Sequence, residues 1–307
     1  MELADWDDLR VFLAVARGES LSVAGKVLRL DPATVGRRVA RLELGLGARL
    51  FAKSPQGYAL SDEGQRLLDH AVRAEQAVAG ATQALRGQAG GLTGSIRIGA
   101  PDGCANYLLP QVLAAICDEN PGLEVQIIAL PRVFNLSKRE ADMAIAVSRP
   151  TAGRLIVQKL TDYRLHLAAS QSYLASHPPI RSPADLKGHR VIGYIPDMIF
   201  DKELDYLAEI GADTVPLASN SVSVQFNWVR AGAGIAVVHD FALPSAPGVE
   251  RLLTADLSLI RSFYLIRHVD DKRVERLNRF AETLTAGLQG EVARLEAMVA
   301  RNSKRLA

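Results

Sequence analysis

Ser20-Leu21-Ser22-Val23-Ala24-Gly25-Lys26-Val27-Leu28-Arg29-Leu30-Asp31-Pro32-Ala33-Thr34-Val35-Gly36-Arg37-Arg38-Val39-Ala40-Arg41-Leu42-Glu43 is the stretch on which the fold turns. A helix from Ser20 or Ser22 to about Leu28 turns Val23, Ala24, Val27 and Leu28 inward. Asp31-Pro32 then reads as an N-cap with proline at the first helical position. Val35, Val39 and Leu42 follow at spacings of four and three, while Thr34, Arg37, Arg38 and Arg41 share the other face. Two short helices, a small residue (Ala24) at their crossing and a polar, basic outer face on the second are what a helix-turn-helix needs. Its second helix enters the major groove, where exposed side chains near its N-terminus meet base edges and flanking arginines neutralise phosphates. On that reading Ser22, Pro32, Ala33, Thr34, Arg37, Arg38 and Arg41 are the candidate DNA contacts. A structural helical hairpin with a solvated face gives the same pattern.

Upstream, Leu9, Phe12, Leu13 and Ala16 mark a first amphipathic helix. Downstream, Ser54-Pro55-Gln56-Gly57 separates Leu50-Phe51 from Tyr58-Ala59-Leu60, a predicted hairpin whose Lys53 and Gln56 suit a wing on the DNA backbone. Charge is uneven along this region. Residues 1–25 carry two basic and five acidic side chains, and residues 26–53 carry seven basic and two acidic ones, inside a chain of net charge +2. A local basic block of this kind is a nucleic-acid footprint or a solvated helix face.

Residues 61–86 read as one long helix, 1–60 being the unit before it. Leu67, Ala71, Ala74, Val78, Ala81 and Leu85 keep a heptad seam, which suits dimerisation through a closely approaching partner helix; alanine richness in a plain linker is the alternative. Gly87, Gly90, Gly91 and Gly94 then break the helix, so 61–91 is linker helix and hinge, and 92–307 a further domain. There, strands are predicted at Ser95–Gly99, Leu123–Ile128, Ala141–Val147, Tyr163–Ala169, Val191–Ile195, Val215–Ser219 and Ile235–Val238. Helical patterns occupy 103–119, 201–211, 221–231 and 272–300. The alternation predicts an α/β domain with a mainly parallel sheet, best divided into two subdomains.

At 307 residues the chain suits two domains of roughly 150 residues each, with or without a small third unit. Its 48% hydrophobic and 23% charged residues exclude a disordered chain. No apolar run approaches the ~20 residues of a membrane span. The acidic start shows no secretory pattern, and two cysteines make no disulfide framework, so a cytoplasmic protein is expected. No G-x-S-x-G elbow occurs, and His70, His166, His177, His189, His239 and His268 are scattered without metal-ligand spacing. No catalysis, metal or cofactor is therefore expected. Cys104 and Cys117, if both on helix 103–119, stand too far apart to bridge. The junction of the first strand with the next helix, Pro101-Asp102-Gly103-Cys104, is a candidate anion site.

The chain resembles the LysR-type transcriptional regulators. The resemblance is carried by Asp8–Ala16, Ser20–Ala24, Ala33–Glu43 and Leu46–Phe51, and continues through Leu108-Leu109-Pro110, Arg139–Ile145 and Ala231–Ala236. It implies an N-terminal winged helix-turn-helix, a dimerising linker helix, and an α/β effector domain of two periplasmic-binding-protein-like subdomains. These would be about 92–161 with 268–307, and about 162–267. It implies a regulator that binds a two-fold operator in double-stranded DNA as a homodimer or homotetramer. A small-molecule effector would lie between the subdomains. By that analogy Pro101, Asp102, Gly103, Cys104, Asn220 and Ser221 face the effector; Arg149 at the crossover pairs an acidic effector or makes a surface or interdomain ion pair, and Asp102 counts against carboxylate recognition by this loop or caps its helix. The commonest family pattern has Ser at the positions of Asp31 and Gly36, and Gln at those of Pro32 and Arg38. Asp31 then caps its helix or accepts from a cytosine amino group; Gly36 admits a phosphate or accommodates packing. Two rivals remain on the residues alone: a solute-binding or enzymatic protein on the same scaffold with an incidental basic N-terminus, and an oligomerising scaffold.

Overall fold

The computed structural model describes residues 5–54, 57–85, 91–129, 141–150, 153–211 and 214–306. The chain divides into two compact units, Met1–Gly90 and Gly91–Ala307.

The N-terminal unit runs α1 (Trp6–Gly18), α2 (Leu21–Leu28), α3 (Pro32–Leu46), β1 (Phe51–Ser54), β2 (Gly57–Leu60) and α4 (Asp62–Leu85). Asp5, Ser20 and Asp31 cap the first three helices with their side chains. Asp31 is thus a cap, its Oδ1 accepting from the Thr34 amide at 2.9 Å. The α2–α3 turn is tight. The Leu30 amide donates to the Gly25 carbonyl at 2.9 Å, and a Cβ on Gly25 would come 2.6 Å from the Leu30 oxygen. Gly36 faces Leu21, whose Cδ1 would lie 3.3 Å from an added Cβ, so the glycine serves helix packing. Val11, Phe12, Val15, Ala24, Val35, Val39, Leu42 and Leu50 form the core. The predicted hairpin forms as an antiparallel pair, with Phe51 opposite Leu60.

The C-terminal unit contains β3 (Gly94–Ala100), α5 (Asp102–Tyr107), α6 (Leu109–Glu119), β4 (Leu123–Ala129), β5 (Met143–Ala146), β6 (Leu155–Ser170) and α7 (Gln171–Ala175). It continues with β7 (Val191–Gly193), α8 (Leu207–Ile210), β8 (Leu217–Ala218), α9 (Val222–Arg230), β9 (Ile235–His239), β10 (Val249–Leu252), β11 (Ser258–His268) and α10 (Glu275–Leu306). One sheet runs in the order β4-β3-β5-β11-β6-β9-β7-β8, with β10 pairing β6. β3 pairs β4 and β5 in parallel, and β7 pairs β8 and β9 in parallel. These two parallel groups are joined by the antiparallel ribbon of β6 and β11. The mainly parallel sheet expected from sequence is therefore corrected to a mixed one. The long antiparallel ribbon connects the parallel groups directly, without helical crossovers. Its register shifts between Phe263 and Tyr264, a bulge in an otherwise continuous ladder.

The helix expected over 103–119 is two helices broken at Leu108. Pro110 in the first turn of α6 lacks an amide and its ring clashes with a preceding turn. The helix expected over 201–211 is a 3₁₀ turn at Lys202–Leu204 followed by the single turn of α8. α10 buries Leu277, Phe280, Ala281, Leu284, Leu288, Val292, Leu295 and Val299, a stripe of threes and fours along its inner face. It packs on α6, on β6 and on the 3₁₀ segment Asp240–Ser245. No described helix is long and apolar enough to cross a membrane.

Candidate nucleic-acid interface and effector cleft

α3 carries the candidate interface. Pro32 and Ala33 are exposed in its first turn, Arg37 is exposed one turn on, and Ser22 is exposed on α2. The Thr34 hydroxyl donates to Asp31 and accepts from the Arg37 guanidinium at 2.9 Å. That hydroxyl, then the Thr34 amide, holds the Asp31 carboxyl below its usual range. The recognition turn is thus set by contacts within itself.

Two of the candidate arginines have partners inside the protomer. Arg38 pairs with Asp7 of α1 at 3.2 Å. Arg41 grips Asp8 of α1 through Nε at 2.6 Å and a terminal nitrogen at 2.5 Å. Asp8 is 3% exposed and Arg41 61%. The acidic start of the chain and its basic block therefore partly neutralise each other in three dimensions, which the count along the sequence does not reveal. Lys53 lies on β1, but its side chain falls outside the described residues, as does Gln56.

The heptad seam of α4 divides. Ala71 is buried, and Leu67 packs beside it, both in the core of the protomer's own winged helix. Ala74 is half-buried and Val78 is 46% exposed. Ala81 and Leu85 lie on α4 with side chains outside the described residues.

In the C-terminal unit, β3 delivers Pro101, Asp102, Gly103 and Cys104 to a cavity that Asn220 also lines. The opposite walls are Tyr194, Phe200, Leu204, Val222, His239 and Phe263. The helix starting at this junction, α5, has only six residues, and its capping position, Pro101, makes no side-chain cap bond. Its first residue turns its carboxylate to another helix instead. Asp102 Oδ2 accepts from the Ser221 hydroxyl at 2.9 Å and the Ser223 amide at 2.8 Å, at the head of α9. The junction expected to offer amides to an anion thus offers a carboxylate. Gly103 permits this approach: a Cβ there would sit 3.1 Å from both His239 Cε1 and Val222 Cγ2.

Burial pushes the Cys104 thiol far up. Burial also lowers His239 to about 4, outweighing the opposing pull of Asp102 and Asp240, so its imidazole is neutral. Cys104 and Cys117 are both unpaired thiols. Arg149 lies outside this cavity's lining; its guanidinium sits 5.3 Å from the centre of the Tyr264 ring. Tyr163 stacks on Phe263 with centroids 4.1 Å apart. Tyr194, His239 and Phe263 were missed from sequence because they come from separate strands and loops; the terminal position of His239 on a strand was the one usable signal. Among the described residues no group of three His, Cys, Asp or Glu side chains could hold a metal.

Residues 6–65 match the family described as bacterial regulatory helix-turn-helix protein, lysR family, and residues 89–289 the LysR substrate binding domain. The chain is 28% identical over 238 residues to the HTH-type transcriptional regulator PtxR of Pseudomonas aeruginosa, covering 76% of each. It is 29% identical over 290 residues to the Mau operon transcriptional activator of Paracoccus denitrificans, covering 91% of this chain and 98% of that one. In fold it is similar to a cysteine mutant of OxyR from Corynebacterium glutamicum, at a TM-score of 0.63 and 20% identity over 97% of this chain and 96% of that one.

Proposed function

The chain belongs to the LysR-type transcriptional regulators, and from that membership we infer that it reads a two-fold operator with α3 and answers to a small molecule held at the Asp102 cleft. The observation that carries the DNA contact is the exposed first turn of α3. Its cap is already formed, and Arg37 stands clear of the ion pairs that engage Arg38 and Arg41. Side chains at that end of a recognition helix reach base edges, while Ser22, Arg38, Arg41, Lys53 and Gln56 would contribute to the phosphate and wing contacts.

Two such units on one operator require an oligomer. The α4 seam, on which Val78 is 46% exposed, is the surface we assign to a homodimer, with a homotetramer as the further assembly. The effector would enter between the subdomains, against Pro101–Cys104 and Asn220–Ser221, with Arg149 at the rim. It acts only by binding one conformation more tightly than another. A cytoplasmic location accompanies this role.

Selection of binders from random double-stranded DNA, at two salt concentrations, tests the reading. An inverted repeat with half-sites spaced by whole helical turns is expected. Binding without sequence enrichment would reduce the protein to an electrostatic DNA binder, and no binding at either salt would overturn the regulator reading.

A further inference from the structure

The first turn of α1 is acidic, and it lies against the arginine row of α3. Two ion pairs join the helices, and they are built differently. Arg41 holds Asp8 through two nitrogens, and Asp8 is all but excluded from water. Leaving would strand a buried carboxylate, so Arg41 meets a phosphate only while it keeps Asp8. Arg38 reaches Asp7 through one nitrogen, at 3.2 Å. The Asp7 side chain is 49% exposed and that of Arg38 29%. A single contact between partly exposed groups opens at small cost, because water takes over the carboxylate. Arg10 stands 3.7 Å from the other Asp7 oxygen, so this carboxylate keeps a cation beside it when Arg38 departs. Arg37, one position before, bonds Thr34 of its own helix instead. The row therefore holds one cation on a neutral group, one in an exchangeable pair and one in a fixed pair.

The exchangeable pair separates two ways of meeting DNA. In a sequence-neutral complex the phosphates are met loosely, across water, where attraction between charges is weak. A cation that already has a partner gains nothing there by changing it, and Arg38 releases no counterion from the duplex. Base contacts by α3 fix the register of the protein and bring phosphates to hydrogen-bonding distance. A direct guanidinium–phosphate contact, which can use two nitrogens at once, then outweighs the one-nitrogen contact with Asp7.

We propose that Asp7 is a specificity-determining residue of DNA binding: it withholds Arg38 from sequence-neutral DNA and yields it to a phosphate once α3 is seated on its site. The proposal rests on the DNA contact inferred above and deepens it by naming what suppresses indiscriminate binding.

Fluorescence anisotropy of the full-length protein across a salt series tests this with two labelled duplexes. One is the duplex enriched in the selection described above, and the other a scrambled duplex of the same length and composition. Asp7→Asn is expected to bind the scrambled duplex about two- to fivefold more tightly, with a salt slope steeper by about 0.9 per bound protomer. On the enriched duplex its gain is expected to stay below about twofold. Arg38→Ala is expected to do the reverse, with little change on the scrambled duplex and a loss of at least about fivefold on the enriched one. Adding Asp7→Asn to Arg38→Ala should bring no further gain, because the cation it would free is gone. A scrambled-duplex affinity and slope unmoved by Asp7→Asn overturn the proposal. So does an equal gain on both duplexes, or a gain that survives in the Arg38→Ala background, the mark of a diffuse charge effect. Should Asp7→Asn fail to fold by circular dichroism, Arg38→Ala decides alone, and equal losses on the two duplexes overturn the proposal. An enriched sequence without the Asp7 effect removes only this proposal, whereas a parent protein that binds neither duplex removes the regulator reading.

Discussion

Asp8 is a carboxylate shut away from water and held by an arginine that is itself mostly in water. Such a pair is asymmetric: losing the arginine strands a buried charge, whereas neutralising the aspartate leaves a solvated cation content in water. Arg41→Ala is expected to destabilise the N-terminal unit, and Asp8→Asn to do so by less, with the double variant closer to Asp8→Asn. Urea denaturation of the three proteins measures this. Weakened DNA binding by Arg41→Ala would therefore mix stability with contact. Arg37→Ala separates them: unchanged unfolding is expected, with weaker operator binding and a salt slope smaller by about one. His239 gives a pH signature. The unfolded chain takes up this proton as pH falls below about 6.5, while the native site resists until about 4. Its contribution to stability is thus complete above about 6.5 and is lost as pH falls toward 4. His239→Asn is expected to flatten that part of the midpoint-against-pH curve, read as the difference from wild type.

At the scale of elements, the first three helices were legible because their signals are local, with Asp5, Ser20 and Asp31 at their caps; the inward face read for α2 was not, since Val23 and Val27 are 47% and 73% exposed. The first half of β6, before the strand expected at Tyr163–Ala169, and all of β11 were illegible for the opposite reason. Gln158, Lys159 and Asp162 interrupt β6 with polar side chains, and Arg261 and Arg267 do the same in β11. A ribbon partly open to solvent needs no apolar run, and only its partner strand keeps it extended. The seam of α4 was legible as a pattern but not as an assignment, because the winged-helix core takes Leu67 and Ala71 for itself. Cutting the chain after residue 60 therefore unroofs a core as well as removing an oligomer contact. A 1–60 fragment is expected to melt below a 1–85 fragment by circular dichroism. Val78→Glu, on the exposed part of α4, is expected to leave the midpoint unchanged and weaken self-association at least tenfold by sedimentation.

Across the whole C-terminal unit, five residues that line the Asp102 cavity were expected from sequence: Pro101, Asp102, Gly103, Cys104 and Asn220. Pro101–Cys104 and Asn220–Ser221 are strand-to-helix junctions, a type of site that sequence order exposes. Phe263 reaches that cavity only through tertiary packing, and the docking of Asp102 on α9 joins residues more than a hundred positions apart. α10 is a second long-range tie. Arg276 near its start donates to the Ser95 carbonyl of β3, and Glu296 near its end accepts from the Arg164 amide of β6. α10 therefore ties β3 of the first parallel group to the ribbon that joins both groups.

The ribbon behaves mechanically as a strip with one notch. Its ladder is interrupted between Phe263 and Tyr264, and Phe263 is at once a wall of the cleft and the stacking partner of Tyr163. A strip bends first where it is notched. A molecule wedged against Phe263 would load the ribbon at that crease, with torsion between the two halves of the sheet as the expected consequence. The compliance of those few residues then sets the gain of the sensor: a stiffer crease would mute the output for the same occupancy, and a looser one would let it drift without any occupant.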